Sequence, residues 1–146
     1  MRAVILSGLD KGNNIYSNLK NVVIDKLRSL GYESSWIDLF DKEIDYCNGC
    51  GYCTEKEAGV CAKKDDMQGI FPKMANYEFL IYISSITFGG YNSQLKKAVD
   101  RYSALGLPTY TIRNGELHHP MRYSKPDQFM SIGIIEEENS NFEYGL

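Results

Sequence analysis

At 146 residues with a formal net charge of −3, the chain is long enough to bury a substantial apolar core, and its length is that of a single domain over residues 1–146. No basic run occurs, which sets nucleic acid aside as a partner; no apolar stretch has the length of a membrane span or the pattern of a signal peptide, so no membrane partner is expected and the expected compartment is the cytoplasm. All four cysteines fall within residues 47–61, and in a reducing compartment such clustering points to metal or redox chemistry rather than to disulfides.

The unbroken apolar run at 3–6 (AVIL) predicts a strand buried on both faces, as in a parallel sheet. It ends at Ser7-Gly8, and residues 9–14 are loop formers centred on Gly12-Asn13-Asn14. Leu19, Val22, Val23, Leu27 and Leu30 then recur at helical spacing, which predicts a helix over about 16–30 closed by Gly31. A Ser and Gly loop feeding a helix N-terminus is physically a phosphate cradle, because unpaired N–H groups and the positive dipole end converge there. The segment has neither G-x-G-x-x-G nor the Walker lysine, and an unliganded strand-to-helix connection would look the same.

Residues 35–39 (SWIDL) read as a second strand, less uniformly apolar and so nearer a sheet edge. The chain then spends residues 41–64 on a cysteine-rich insertion, C-x2-C-x2-C-x7-C, and an insertion of that length in a compact domain is usually functional. Cys47, Cys50 and Cys53, with Gly49 and Gly51 between them, can curl around one small centre while Cys61 approaches from beyond. That arrangement suits a cubane iron–sulfur cluster; zinc is the nearest rival, and free redox-sensing thiols are a third reading. Asp65 or Asp66 should cap a short helix with Met67, Ile70, Phe71 and Met74 on one side, kinked or restarted at Pro72.

Residues 79–83 (FLIYI) are the clearest buried strand, followed by a loop at 84–91 (SSITFGGY) and a helix carrying Leu95, Ala98, Val99 and Tyr102, stopped by Gly106 and Pro108. The loop's hydroxyls, glycines and aromatic residues would let the backbone lie along a flat ring; a plain glycine turn with core-capping aromatics is the other reading. Residues 109–127 read as irregular, with a turn at Asn114-Gly115 and a surface or subunit-contact role for His118-His119 rather than metal binding. A fourth buried strand is expected at 129–135, followed by a glutamate-rich polar tail. Alternating strands and helices predict right-handed crossovers and an open parallel sheet with helices on both faces. The three unusual segments then leave the carboxyl ends of strands and share one rim, where such sheets bind ligands. A phosphate cradle, a ring-binding loop and a cysteine nest together fit FMN beside a redox or metal centre.

Four stretches, AVILSG, CNGCGYCTEKEAGVCAKKDDM, FLIYISSITFGGYNSQLKKAVDR and HHPMRYSKPDQFMSIGII, resemble the flavodoxin-like NADPH-dependent FMN reductases, particularly their iron–sulfur flavoprotein branch. The resemblance extends over nearly the whole chain, and the cysteine block followed by DDM is its most specific part. It implies a flavodoxin-like α/β fold in which Ser7, Asn14 and Ser17 hold the FMN phosphate and Ser85, Ile86, Thr87, Phe88, Gly89, Gly90 and Tyr91 wrap the isoalloxazine ring. It also implies a 4Fe-4S cluster on Cys47, Cys50, Cys53 and Cys61. The implied activity is that of an FMN-dependent oxidoreductase or electron-transfer flavoprotein. NAD(P)H would be the donor and a small molecule or protein the acceptor, with Phe88 and Tyr91 as lids and no side chain acting as acid or base. Leu9 and Asp10 stand where relatives more often carry a Ser or Pro and a basic residue. The fifth strand and last helix of a flavodoxin-like sheet do not follow residues 129–135, so a homo-oligomer covering the last strand is expected. The alternative is a non-catalytic zinc-binding or interaction domain on a degenerate flavodoxin-like scaffold.

Overall fold

The computed structural model describes residues 1–120, 122–123 and 128–135. In chain order the strands are β1 (Arg2–Gly8), β2 (Glu33–Asp38), β3 (Phe79–Thr87), β4 (Gly90–Tyr91), β5 (Thr111–Arg113), β6 (Glu116–His118) and β7 (Gln128–Ile134). The helices are α1 (Tyr16–Ser29), α2 (Met67–Ala75) and α3 (Ser93–Asp100). Strands β2, β1, β3 and β7 lie side by side in that order and run parallel, with Leu6 opposite Ile37 on one side and Tyr82 on the other. This is the open parallel α/β sheet that the alternation of elements predicts.

Both faces are covered because the two central strands carry unbroken runs of buried residues, 3–6 in β1 and 79–83 in β3, that point to both sides. Ala3 and Ile5 of β1, with Ile81 and Ile83 of β3, pack with Leu27 of α1 on one face. Val4, Leu6 and Leu80 pack with Met67 and Ile70 of α2 and with Leu95 and Ala98 of α3 on the other. Ile5 and Leu6 are wholly buried, and each such side chain contributes about 2 kcal/mol. β2 is an edge strand and half-buried, as expected.

β7 is not the buried strand that its apolar sequence suggests: Phe129 is 57% and Met130 46% exposed. Among the described residues β3 alone pairs with it, so it is an edge. Phe129 packs edge-on against Tyr82 with ring centroids 5.1 Å apart, and Ile132 and Ile134 reach the α1-side core.

The predicted break at Pro72 does not occur, and α2 runs through it. The hydrogen bond that Pro72 cannot make would go to the carbonyl of Gln68 in the first turn, and the buried Met67, Ile70, Phe71 and Met74 hold the helix across the gap. Asp65, not Asp66, meets the helix start, accepting the Met67 N–H at 3.1 Å. Within the stretch expected to be irregular, β5 and β6 form a hairpin around the expected Asn114-Gly115 turn, with Ile112 opposite Leu117. The glutamate-rich tail at 136–146 and residues 124–127 lie outside the described residues.

α1 is tied to β2 by a polar cluster. Tyr16 Oη and Trp36 Nε1 each donate to Asp38 Oδ1 at 2.6 Å, and Lys20 Nζ reaches Oδ2 at 3.4 Å. Burial pushes the Asp38 carboxyl up, but the donations from Tyr16, Trp36 and Lys20 outweigh it and hold the group below the usual carboxylate range. The same contacts fix where α1 begins. No helix among the described residues is long and apolar enough to cross a membrane.

Candidate functional site

The carboxyl ends of β1 and β3 meet at one residue, Asn92. The sheet register sets Gly8 beside Ser84, and Asn92 Nδ2 donates both to the Gly8 carbonyl and, at 3.0 Å, to Ser85 Oγ. Asn92 Oδ1 accepts the Leu95 N–H at 3.1 Å and caps α3, while its own N–H donates to Ser84 Oγ at 3.0 Å. Gly8 is required here, because a Cβ would stand 2.7 Å from Asn92 Oδ1 and 3.0 Å from Leu95 Cβ.

The loop from β1 to α1 is closed by its own side chains. Ser7 is wholly buried, its Oγ accepting the Leu9 N–H at 3.3 Å, so it props the loop from within. Asp10 Oδ1 accepts the Gly12 N–H at 2.7 Å, and Asn13 Oδ1 accepts that of Ile15 at 3.1 Å. Asn14 and Ser17 stand exposed at the mouth of α1. The Asp10 contact shows that an anionic oxygen already rests on an amide of this loop.

The segment expected as a loop at 84–91 is a tight hairpin, close to the plain glycine turn of the other reading. Ser85, Ile86 and Thr87 continue β3, Gly90 and Tyr91 form β4, and Thr87 faces Gly90 across the turn. Tyr91 is bound into the sheet: its ring meets Tyr82 edge-on at 5.9 Å and its hydroxyl accepts from Ser131 Oγ at 3.2 Å. Phe88 instead projects from the tip, 97% exposed and at φ +50°, with Gly89 following at φ +74°. A bulky side chain in that region costs about 1–2 kcal/mol, and an exposed ring gains no packing in return. Phe88→Asn, which suits this turn, is therefore expected to raise unfolding stability by about 1 kcal/mol in denaturant titration. Unchanged or lower stability would mean that the ring is packed against something in solution.

The cysteine insertion leaves β2 through a 3-10 turn, Leu39–Asp41, and folds back before α2. Gly49 and Gly51 both adopt left-handed backbone, φ +65° and +69°, giving the tight curl expected between the cysteines, and a single π-helical turn follows over Tyr52–Lys56. Cys47 and Cys50 are exposed, Cys53 and Cys61 half-buried, and all four line one cavity of about 200 Å³. Among the described residues that line it, the charged ones are Lys63 and Arg101. No three His, Cys, Asp or Glu side chains among the described residues stand close enough to share a single metal ion. His118 faces Glu116 at 3.3 Å, and His119 Nδ1 donates to the carbonyls of Leu107 and Thr109 at 3.0 and 3.1 Å, pinning the base of the β5–β6 hairpin.

The cavity's floor is the 3-10 turn Arg101–Leu105, which continues α3. The Arg101 side chain is 1% exposed and forms an ion pair with Asp65, itself 11% exposed. Burial raises the Asp65 carboxyl, but Arg101 and the amides of Asp45 and Met67 outweigh burial and hold it below the usual carboxylate range. A larger cavity of about 320 Å³ lies at the opposite rim, between the amino ends of β1 and β2, where it meets none of these loops.

A family model described as NADPH-dependent FMN reductase matches residues 1–136. The chain belongs to that family. An iron–sulfur flavoprotein of Methanocaldococcus jannaschii is 32% identical over 114 residues, which cover 78% of this chain and 58% of the relative. One from Archaeoglobus fulgidus is 29% identical over 115 residues, covering 78% and 55%. The chain thus spans a little over half the length of these relatives. Among solved structures, a flavone reductase superposes with a TM-score of 0.51 at 16% identity, covering 70% of this chain and 30% of that one. RosB with bound 8-demethyl-8-formylriboflavin-5'-phosphate gives 0.52 at 16% identity, covering 69% and 41%. These likenesses show the flavodoxin-like fold of the FMN reductase family.

Two residues of this FMN reductase family member escape the sequence reading. Asn92, two residues after Gly90 and just before the helical run that begins at Ser93, carries an N-cap signature that could have been read. Arg101 falls three residues after Ala98 on the apolar face of α3, and a charge on such a face signals a buried, paired cation.

Proposed function

We propose that the chain is an FMN-dependent oxidoreductase or electron-transfer flavoprotein, supplied by NAD(P)H and carrying a 4Fe-4S cluster on Cys47, Cys50, Cys53 and Cys61. It passes electrons to a small-molecule or protein acceptor in the cytoplasm and works as a homo-oligomer. The observation that carries this reading is the meeting of the two flavin segments through Asn92 at the carboxyl-end rim of a chain matched to the family from residue 1 to 136.

Bound FMN supplies two-electron exchange with a nicotinamide and one-electron exchange with an acceptor. Its phosphate would lie at the mouth of α1, where Asn14 and Ser17 are exposed and Ser7 fixes the loop from below, and would displace the Asp10 carboxylate from the Gly12 amide. The hairpin from Ser85 to Tyr91 borders the ring, with Phe88 free to cover it and Tyr91 holding the hairpin to the sheet. What supports a cluster is the ligand set: a cubane takes four thiolates, one to each iron, and four cysteines line one cavity. A bound cluster supplies one-electron transfer.

Absorbance and metal analysis of protein purified without oxygen test this reading. Flavin bands, a broad shoulder that bleaches on oxidation, and about four irons per chain are expected. A colourless protein with stoichiometric zinc would overturn it. Cys50→Ser, at an exposed position, should remove the shoulder and leave FMN bound. Loss of FMN together with the shoulder would make the cysteine segment a structural support instead. The exposed edge of β7, with Phe129 and Met130 at its surface, is the face a second copy would cover. Sedimentation should give a dimer or larger, and a monomer at micromolar concentration would rule the assembly out.

A further inference from the structure

One wall of the cysteine cavity is supplied by a buried guanidinium whose hydrogen bonds are only half used. Arg101 Nη1 faces the Asp65 carboxylate and, at 3.5 Å, the Asp45 carbonyl. Its Nε and Nη2 are buried and without a partner among the described residues. Buried donors of this kind are nearly always paired in native proteins, so two left over on one side chain mark a missing acceptor. The guanidinium is fixed in place by Asp65 and by the Phe71 ring, whose centroid is 5.8 Å away. A guanidinium stays charged even when buried, and here the Asp65 carboxylate faces it. Two residues along the same turn, Ser103 Oγ lies 3.8 Å from Cys53 Sγ. The 3-10 turn therefore brings the Arg101 guanidinium and the Ser103 hydroxyl to the floor of the cavity that the thiols line.

We propose that Arg101 is a positioning residue for the group held by the four cysteines, its free Nε–H and Nη2–H donating hydrogen bonds to sulfur in that group. The inference rests on the iron–sulfur reading above. Lys63 also lines the cavity, but it is engaged by Asp45 at 3.1 Å and sits over the Tyr46 ring at 5.1 Å. Asp65 balances the charge of Arg101, which lines the cavity, so the proposed contact is with an ion pair held at its wall rather than with a free charge. Reduction adds negative charge to a cluster, and donors aimed at sulfur stabilise the reduced form more than the oxidised one. Arg101 accordingly raises the reduction potential, and removing it lowers that potential.

The test uses the full chain reconstituted with iron and sulfide under anaerobic conditions. Midpoint potentials are read by electron paramagnetic resonance in wild type, Arg101→Lys and Arg101→Met. For Arg101→Met a tenfold or larger shift toward the oxidised form is expected, about 59 mV for a one-electron couple, with Arg101→Lys in between. Exchangeable protons coupled to the reduced cluster should be lost in Arg101→Met. Because that variant strands the Asp65 carboxylate, Arg101→Met with Asp65→Leu provides a charge-free version in which the same loss of coupled protons is expected. Unchanged potentials and unchanged proton couplings in a loaded protein would overturn the inference and leave the iron–sulfur reading standing. Iron and sulfide analysis of wild type comes first: a wild-type protein that takes up no cluster overturns both.

Discussion

Asp65→Asn is expected to lower the unfolding free energy by about 3–5 kcal/mol, because it leaves a buried guanidinium without its counter-charge. In a domain of this size that corresponds to a fall in Tm of roughly 10–15 °C. The effect is large because Asp65 satisfies three donors at once: the Arg101 side chain and the N–H groups of Asp45 at 3.0 Å and Met67 at 3.1 Å. Asp66 repeats the clasp one residue on, accepting the Glu43 N–H at 2.9 Å. The acidic pair thus closes the neck of the cysteine insertion, joining its first residues to its last. Arg101→Met with Asp65→Leu should recover the part of the loss that comes from the uncompensated guanidinium, but not the part carried by the Asp45 and Met67 amides, from which Leu cannot accept. A double variant as unstable as Asp65→Asn would show that the neck amides, not the ion pair, carry the effect.

The same carboxylate sets an acid limit. Asp65 and Asp38 are both held below their ordinary range in the folded state. Their contribution is complete above the unfolded carboxylate value, about 3.9, and is lost as pH falls through the lower folded values. Stability should therefore decline steeply below about pH 4, and Asp65→Asn should flatten that decline while lowering stability at neutral pH.

The central sheet is legible because β1 and β3 are buried on both faces, and only an unbroken apolar run satisfies that environment. The curl of the cysteine segment is legible because Gly49 and Gly51 have no local alternative use. Errors arise where a neighbour decides the outcome. The run FMSIGII reads as buried, yet it lies at an edge, since apolar composition does not say how many strands flank it. Pro72 reads as a break, but four buried side chains override the local penalty. Asn92 and Arg101 are hidden for a related reason. Their deciding partners, the Gly8 carbonyl and the Asp65 carboxylate, lie 84 and 36 residues away in sequence.

Asn92→Ala is expected to cost about 2–4 kcal/mol: about 1 for the lost cap on α3 and about 1–3 for the Gly8 carbonyl left without its donor. Asn92→Asp separates the two contributions. It keeps an acceptor for the Leu95 N–H at the helix start, where a negative charge is also favoured by the dipole, but it has nothing to donate to Gly8. The gap in stability between the two variants therefore measures the cap, and what they share measures the bridge between β1 and β3. If the rim hairpin borders a flavin ring, both variants should weaken FMN binding about tenfold or more, because the hairpin is no longer held against the strand that feeds the phosphate loop. Equal FMN affinity in wild type and both variants would separate the hairpin from the flavin. Arg101 lies on the continuation of α3 but is held by Asp65 rather than by the cap. The absorbance shoulder assigned to the cysteine segment should therefore survive both changes, making Asn92 a substitution that acts on the flavin segments alone.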